Sequence, residues 1–291
     1  MANNMQVNMI DEKQKGGVKS RRTFSYIVLG IFSFLCLFWF YVLFINTTRS
    51  HSELSTGFTP LPSSHLIDNM NNLFHSTQPV LRGMLNSVIV SSCTCLVCVY
   101  FSAMTAYAIH AYEFKLRNAL FTMILAIMMI PTQVTALGFL QLIGKMKLMD
   151  NFIPLIVPAV ASPIVFFYLK QYMESNLPME LLEAARIDGA GEIRIFNTIV
   201  LPLMVPAMAV QAIFSFVSSW NNYFTPALVL STETKKTLPI LIAALRSADF
   251  LKFDMGQVYA MITFSIFPVI IVYLFLSKYI VGGLAAGSVK G

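Results

Sequence analysis

Six charged side chains stand close together in a chain that is otherwise strongly apolar. They lie within fifteen positions and are Glu180, Glu183, Arg186, Asp188, Glu192 and Arg194. Acidic and basic groups three or four positions apart on a helix form ion pairs with each other or with a partner surface. The chemistry that this segment predicts is therefore electrostatic recognition, and we name residues 180–194 the charged segment.

No recognisable catalytic pattern accompanies the charged segment. The sequence lacks a G-x-x-x-x-G-K-[ST] phosphate loop, a G-x-S-x-G elbow and an HExxH helix. The four cysteines lie in apolar runs, and Cys93, Cys95 and Cys98 point apart on a helix, at about 0°, 200° and 140°. We therefore expect neither an active site nor a metal site, and we interpret the cysteines as buried, inert thiols without disulfides.

The composition indicates a polytopic membrane protein. Of 291 residues, 56% are hydrophobic and 12% are charged, whereas about 25% are charged in an average soluble domain. A spanning helix needs about 20 mostly apolar residues. Six segments satisfy this requirement, at about 24–46, 84–109, 119–142, 152–170, 204–230 and 257–280. The predicted fold class is an all-α membrane protein with six transmembrane helices.

Basic residues predict the orientation of these spans. Five of them precede the first span and place the N-terminus in the cytoplasm, and six spans return the C-terminus to the same side. In this topology 12 basic residues are cytoplasmic and 8 are external. The net charge of +6 then reflects the flanks of membrane spans and not nucleic-acid binding. The first span is too long for the apolar region of a signal peptide, so we expect it to be retained.

The predicted spans contain almost no ionisable side chain. A charge at the centre of a membrane helix costs about 2.5–3.5 kcal/mol on insertion scales, so it persists where it has a function. Only His110 comes close, at the inner end of the second span, where we interpret it as an interfacial group. An ion-coupled carrier therefore has little support. Because the chain also lacks a phosphate loop, the energy for active transport would enter through another subunit.

The charged segment is predicted to fold into two short helices on the cytoplasmic side. "PMELLEAARI" has a proline suited to a helix start and acidic residues near the positive end of the helix dipole, and Glu183 and Arg186 are spaced to pair. Gly189 or Gly191 ends this helix with a positive φ, and "EIRIFNTIV" forms a second helix before Pro202. Two short helices joined by a glycine turn could dock into a groove of a partner protein or lie on lipid headgroups. Composition alone does not decide between these two interpretations.

Residues 183–202, which begin within the charged segment, resemble the EAA loop of the membrane subunits of ATP-binding-cassette importers. The pattern is Glu183-Ala184-Ala185, three residues, Gly189, nine residues, Ile199, one residue and Leu201-Pro202. The resemblance covers nearly the whole chain after the first 22 residues, including "SFVSSWNNYFTPALVL" and the ending "YIVGGLAAGSVKG". The segments are similar to those of carbohydrate-import permeases, and the ending resembles the tail of the second permease of maltose type, although Gly282 stands where that tail usually has Arg or Lys.

The resemblance implies a type I importer fold and a set of partners. The permease domain would be residues 24–282, with a coupling loop at 172–203 and cytoplasmic tails at 1–23 and 283–291. Partners would be a related permease, two ATP-binding subunits, an external solute-binding protein and a sugar, in the multi-pass setting of a bacterial cell membrane. This chain would bind no cofactor, and ATP and Mg²⁺ would be used by the partner ATPase.

The resemblance also implies roles for individual residues. Those that would couple to the ATPase are Glu183, Ala184, Ala185, Arg186, Asp188, Gly189, Ile199, Leu201 and Pro202. A tail that would reach the ATPase interface comprises Ala285, Ala286, Gly287, Ser288 and Lys290.

A polar and aromatic cluster in the fifth predicted span offers the chemistry that holds sugars. It consists of Ser218, Ser219, Trp220, Asn221, Asn222 and Tyr223. Asn and Ser also bridge packed helices, and Trp and Tyr also favour the membrane–water interface. The alternative interpretation is therefore that this cluster serves packing between helices. The function expected overall is a non-catalytic sugar-import permease. The alternatives are a permease for a non-sugar solute, a stand-alone carrier and a membrane-bound enzyme.

Overall fold

The structure is a computed structural model of the full chain, and it describes residues 2–76, 78–247 and 253–288. Side chains are described for residues 21–76, 78–131, 133–247 and 253–280. The longer α-helices are α1 (Ala2–Thr47), α4 (Val80–Ala111), α5 (Arg117–Ile127), α6 (Thr132–Lys145), α8 (Pro163–Asn176), α11 (Leu201–Trp220) and α14 (Met255–Ser288). The shorter ones are α2 (His51–Ser55), α3 (Leu66–Phe74), α7 (Ile153–Ile156), α9 (Met179–Ile187), α10 (Glu192–Ile195), α12 (Phe224–Val229) and α13 (Leu238–Arg246). No strand occurs among the described residues.

Five helical segments of the described chain are long and apolar enough to cross a membrane. They are Arg21–Thr47, Val80–Ala111, Ile153–Asn176, Glu192–Trp220 and Met255–Ile280. The predicted all-α membrane class and five of the six predicted spans are confirmed by the length and the apolar composition of these helices. The tail boundaries at residues 23 and 283 remain predictions.

The third predicted span, 119–142, is wrong as a single helix. The structure divides it into α5 and α6, which end and begin on either side of Pro131. Proline has no N–H to donate and forces the preceding residue out of the helical region, so the helix stops before it. A similar break at Ala161–Ser162 precedes Pro163 and separates the 3₁₀ segment Val157–Val160 from α8.

The predicted boundaries of the fifth span, 204–230, are also wrong. The helical run begins at Glu192 and ends at Trp220, with a π-helical segment at Phe196–Val200. Pro202 and Pro206 lack the N–H groups that would complete regular α-helical bonding, and an altered hydrogen-bond register fits such positions. "EIRIFNTIV" is therefore the first part of the spanning helix and not a separate second helix.

The Cα atoms group into two compact units, and α14 contributes to both. The first comprises described residues of 2–71 and 254–263, and the second comprises those of 72–253 and 264–288. In the second unit, α4 packs against α8, α11 and α13. Small residues such as Ser102, Ala103 and Ala106 are buried on α4, which allows close approach of helices.

Two polar anchors on α4 hold the segment that leads into α13. Asn86 Nδ2 donates to the carbonyl oxygens of Thr234 and Lys236, at 2.9 and 3.0 Å. Ser87 Oγ accepts from the N–H of Leu238 at 2.8 Å. Each of these bonds satisfies a backbone group that neither helix nor sheet would pair.

Asp150 joins two connections at one end of the second unit. Its carboxylate accepts bonds from the N–H groups of Ser231 and Thr232, the hydroxyl of Thr232 and the ammonium of Lys235. These bonds, that from the Thr232 hydroxyl foremost, hold the pKa of Asp150 well below its usual range. The carboxylate therefore stays charged at neutral pH and keeps accepting all four bonds.

Candidate functional site

The first helix of the charged segment, α9, shows one face to its own protein and the other to solvent. Leu182 is fully buried and Ala185 is buried, whereas Glu183 and Ala184 are exposed. The apolar residues of α9 are therefore divided, since Leu182 and Ala185 face the protein whereas Leu181 and Ala184 are exposed. The predicted helix itself is confirmed, with Pro178 at its N-cap.

A glycine turn ends α9 as the sequence predicted. Gly189 has φ +78°, its N–H bonds the carbonyl of Arg186, and the N–H of Ala190 bonds the carbonyl of Ala185, both at 3.0 Å. This pair of bonds defines a Schellman motif, in which the left-handed residue is usually glycine. Gly191, the other residue considered for this role, has an ordinary φ of −70°.

Arg186 pairs with Glu192 across the turn and not with Glu183. Arg186 Nε donates to Glu192 Oε1 at 2.8 Å, and the guanidinium lies 5.3 Å from the centre of the Tyr112 ring. The predicted pairing of Glu183 with Arg186 is therefore wrong. The turn at Gly189 brings Glu192 beside Arg186, and the bond to Glu192 raises the pKa of Arg186 above its ordinary value.

The end of α4 holds both ends of the charged segment. The hydroxyl of Tyr107 donates to Glu192 Oε2 at 2.7 Å. His110 Nε2 lies 3.2 Å from the carbonyl oxygen of Leu177, just before α9. The bond from Tyr107 to the Glu192 carboxylate is charge-assisted, and such bonds are roughly twice as strong as neutral ones. The charged segment is thereby fixed to the helix bundle, and His110 takes part in this attachment.

The predicted coupling residues do not form one surface. Glu183, Ala184, Asp188 and Gly189 are exposed, Ala185 is buried and Arg186 is bonded to Glu192. Ile199, Leu201 and Pro202 lie in the following helical run, with Ile199 in its π-helical segment. In the C-terminal tail only the backbone of residues 285–288 is described, as the end of α14, and Lys290 lies outside the described residues.

Two exposed isoleucines were not predicted as part of the site. Ile187 at the end of α9 is 86% exposed, and Ile193 in α10 is 77% exposed. They flank the turn at Gly189, so an apolar pair accompanies the exposed charges of Glu183 and Asp188. The sequence signal for this pair is an isoleucine next to a charged residue at both ends of the "DGAG" turn, where an ordinary loop would be polar.

A cavity of about 790 Å³ runs beside α11 in the second unit. A polar stripe faces it from α11 and the residues just after it, formed by Gln211, Ser215, Ser218, Ser219 and Asn222. Their spacing of four, three, one and three residues covers about 100° of a helix surface, so they share one face. Aromatic rings of Tyr168 and Phe214 also line it, and no charged side chain of the described residues does. We name this space the polar cleft.

The six residues predicted as a sugar path divide between two faces. Ser218, Ser219 and Asn222 line the polar cleft. Trp220 is buried and stacks on Phe216 at 5.8 Å, and with Asn221 and Tyr223 it lines a different cavity. The helix end at Trp220 turns Asn221 and Asn222 to different sides. Gln211 and Ser215 were missed, although their spacing from Ser218 and Ser219 was visible in the sequence.

Ser219 and Asn222 lie where the polar cleft meets a second cavity of about 510 Å³. Leu155 lines both cavities as well. A solute moving from one cavity to the other would pass these three side chains. The arrangement suits passage of a neutral solute along a partly polar wall.

Helical spans with few charges, the attached charged segment and the polar cleft together fit a subunit of a membrane transport system. Residues 99–285 match the family described as "Binding-protein-dependent transport system inner membrane component". The chain belongs to this family, and it is a multi-pass membrane protein of a transport system.

Named relatives and solved structures agree with this assignment. The chain is 36% identical over 265 residues to the arabinooligosaccharides transport system permease protein AraQ of Bacillus subtilis, covering 89% of this chain and 92% of the relative. It is 32% identical over 267 residues to the sn-glycerol-3-phosphate transport system permease protein UgpE of Yersinia pestis, covering 90% and 95%. A bacterial importer of the acidic polysaccharide alginate has the same fold, with a TM-score of 0.76 at 23% identity over 88% of this chain and 94% of that chain.

Proposed function

We propose that this chain is one of two membrane-spanning subunits of an ATP-driven importer for a sugar or oligosaccharide in a bacterial cell membrane. A solute-binding protein would deliver the sugar, a related permease would complete the path, and two ATP-binding subunits would supply the energy. The chain itself would be no enzyme and would bind no cofactor, since ATP and Mg²⁺ belong to the ATPase. The single observation that carries this proposal is the exposed edge of the charged segment, held to α4 through Glu192.

The charged segment is suited to transmit force from an ATPase to the spans. Its outer edge presents Glu183, Asp188, Ile187 and Ile193, which combine charge with apolar area. Its inner side continues without a break from Glu192 into the helical run that ends at Trp220. A push on this edge would therefore move that helix as one body, as alternating access requires.

Co-purification tests this function directly. The full chain would be tagged and extracted from its native membrane in mild detergent, and its companions identified by mass spectrometry. We expect a related permease and an ATP-binding subunit, with recovery of the ATPase about fivefold lower for Glu183→Lys, which corresponds to about 1 kcal/mol at an exposed ion pair. Glu174→Lys, a charge reversal on α8 outside the charged segment, is the control and should leave recovery unchanged. Sugar uptake by the chain alone, with no ATPase recovered, would contradict the proposal.

A neutral polyhydroxylated substrate fits the polar cleft better than an anionic one. Amide and hydroxyl groups bond sugar hydroxyls, and the faces of Tyr168 and Phe214 offer surfaces for sugar rings. A phosphate or carboxylate substrate would call for Arg or Lys, and none of the described lining residues is basic. Relatives named for arabinooligosaccharides and for sn-glycerol-3-phosphate are both similar to this chain, and the lining favours the first kind of solute.

Replacing Asn222 by leucine is expected to weaken sugar import. The amide offers up to two bonds to a sugar hydroxyl, and the loss of about 1.4 kcal/mol in net hydrogen bonding would lower uptake at limiting substrate about tenfold. Asn221→Leu is the matched control, because Asn221 lies outside the polar cleft. Radiolabelled uptake at a series of sugar concentrations measures both variants. Equal losses in the two would show that the polar cleft does not select the sugar.

A further inference from the structure

A buried arginine lies immediately after the first candidate span. The span ends at Thr47, and Arg49 is only 4% exposed. Its guanidinium donates through Nη2 to the carbonyl oxygen of Glu53 and through Nη1 to Oδ1 of Asn46, the latter at 3.5 Å. Both acceptors are neutral groups, so these bonds leave the charge of Arg49 without a counter-charge.

The nearest carboxylate in the sequence is directed elsewhere. Glu53 accepts from the N–H of Ser50 and from the hydroxyl of Ser63, both at 2.9 Å. Among the described residues, no carboxylate lies at ion-pair distance from Arg49. A buried cation without an anionic partner is costly, so an anion from outside the chain would stabilise this arrangement.

Arg49 lines a cavity of about 460 Å³ within the first unit. Asn46 is its polar neighbour there, and most of the remaining wall is apolar or aromatic: Phe38, Trp39, Val42, Leu54, Phe58 and Tyr259. Trp39 is 71% exposed and Phe58 is 59% exposed. The cavity therefore combines one cationic end with an aromatic wall.

The order of these groups along α1 and the two residues after it matches the order of groups in a phospholipid. Arg49 comes two residues after the end of the span, and a residue just beyond a spanning helix is expected at the level of the headgroups. Trp39 precedes Thr47 by eight residues, which is about 12 Å along a helix and thus within the acyl region. A free inorganic anion would account for Arg49 but not for the aromatic wall beneath it.

We propose that this cavity binds a phospholipid of the leaflet next to Thr47. The phosphodiester would lie at Arg49 and Asn46, and an acyl chain would cover Phe38, Trp39 and Val42. The site would be separate from the polar cleft, and the proposal does not depend on which solute is transported.

The backbone around Arg49 is held in place before any ligand binds. Asn69 Nδ2 donates to the carbonyl oxygens of Thr47 and Arg49, at 2.8 and 2.9 Å. Gly256 leaves space for this amide, because a Cβ atom there would collide with Asn69. A fixed backbone lowers the entropy lost on binding.

Native mass spectrometry of the full chain with its co-purified subunits tests the site. The probe is phosphatidylglycerol added to lipid-depleted protein in detergent. We expect one retained lipid per chain, about tenfold lower apparent affinity for Arg49→Gln, and near-normal affinity for Arg49→Lys. Arg82→Gln removes an exposed arginine outside the cavity and is the matched control, with no expected change. Trp39→Ala should also weaken retention, and it keeps the test valid if Arg49→Gln disturbs folding.

Three results would overturn the proposal. One is equal retention of phosphatidylglycerol by Arg49→Gln and the unchanged protein. Another is equal retention of a galactosyl diacylglycerol, which has acyl chains but no phosphate. The third is displacement of the lipid by millimolar inorganic phosphate, which would show that a free anion occupies Arg49 without need of the aromatic wall.

Discussion

Replacing Gly189 by valine is expected to lower ATP-driven uptake at least tenfold while the chain still inserts in the membrane. Gly189 has φ +78°, a conformation that costs a β-branched residue on the order of 1–3 kcal/mol. A Cβ at this position would meet no atom within 4 Å, so the cost is one of backbone conformation alone. We expect the variant to relieve this cost by opening the turn, which would displace Glu192 from Arg186 and move Ile187 and Ile193 out of the proposed contact with an ATPase.

Uptake and ATP hydrolysis in proteoliposomes containing the whole transporter measure this effect. Gly191→Val is the matched control, because Gly191 has φ −70° and ψ 152°, an extended conformation that valine adopts readily, and a Cβ there also meets open space. Gly189→Asn should retain most activity, since asparagine tolerates positive φ. Full activity of Gly189→Val would show that the turn geometry has no part in coupling.

Replacing Glu192 by leucine is expected to lower uptake by a similar factor, through loss of the attachment of the charged segment to α4. Glu192 accepts one bond from Arg186 and one from Tyr107. Its side chain is 41% exposed and that of Arg186 is 31% exposed, so solvent screens the ion pair and its contribution is about 1 kcal/mol. The bond from the Tyr107 hydroxyl to a charged acceptor adds a comparable amount.

A graded series separates the charge of Glu192 from its shape. Glu192→Gln keeps a hydrogen-bond acceptor and should have an intermediate effect, and Tyr107→Phe removes one bond and should have a smaller one. Glu180→Leu removes an exposed carboxylate from the first turn of α9 and is the control. Uptake, ATPase recovery and thermal unfolding would be measured for each variant. Wild-type uptake in Glu192→Leu would mean that the bonds of Glu192 have no role in coupling. The proposed ATPase would then order the charged segment by itself.

The sequence by itself determined the class of protein and the main features of the charged segment. Long apolar runs define spanning helices because each run must bury its backbone polar groups within itself. The helix of "MELLEAARI" and the left-handed turn at Gly189 follow from local conformational preference, which acts over a few residues. The loop pattern around Glu183 and Gly189 identified the family because all its residues lie within one short stretch of the sequence.

The tertiary structure decided which groups meet. Arg186 pairs with Glu192 and not with Glu183, although Glu183 is nearer in the sequence. The turn at Gly189 and the bond from Tyr107, which lies 85 residues before Glu192, place the Glu192 carboxylate beside Arg186. Asn221 and Asn222, neighbours at the end of α11, line different cavities. Arg49 is buried because segments of the first unit that are distant in sequence pack around it. Such outcomes depend on distances between residues far apart in the chain, and the free energies of the competing local pairings are too similar for sequence alone to choose between them.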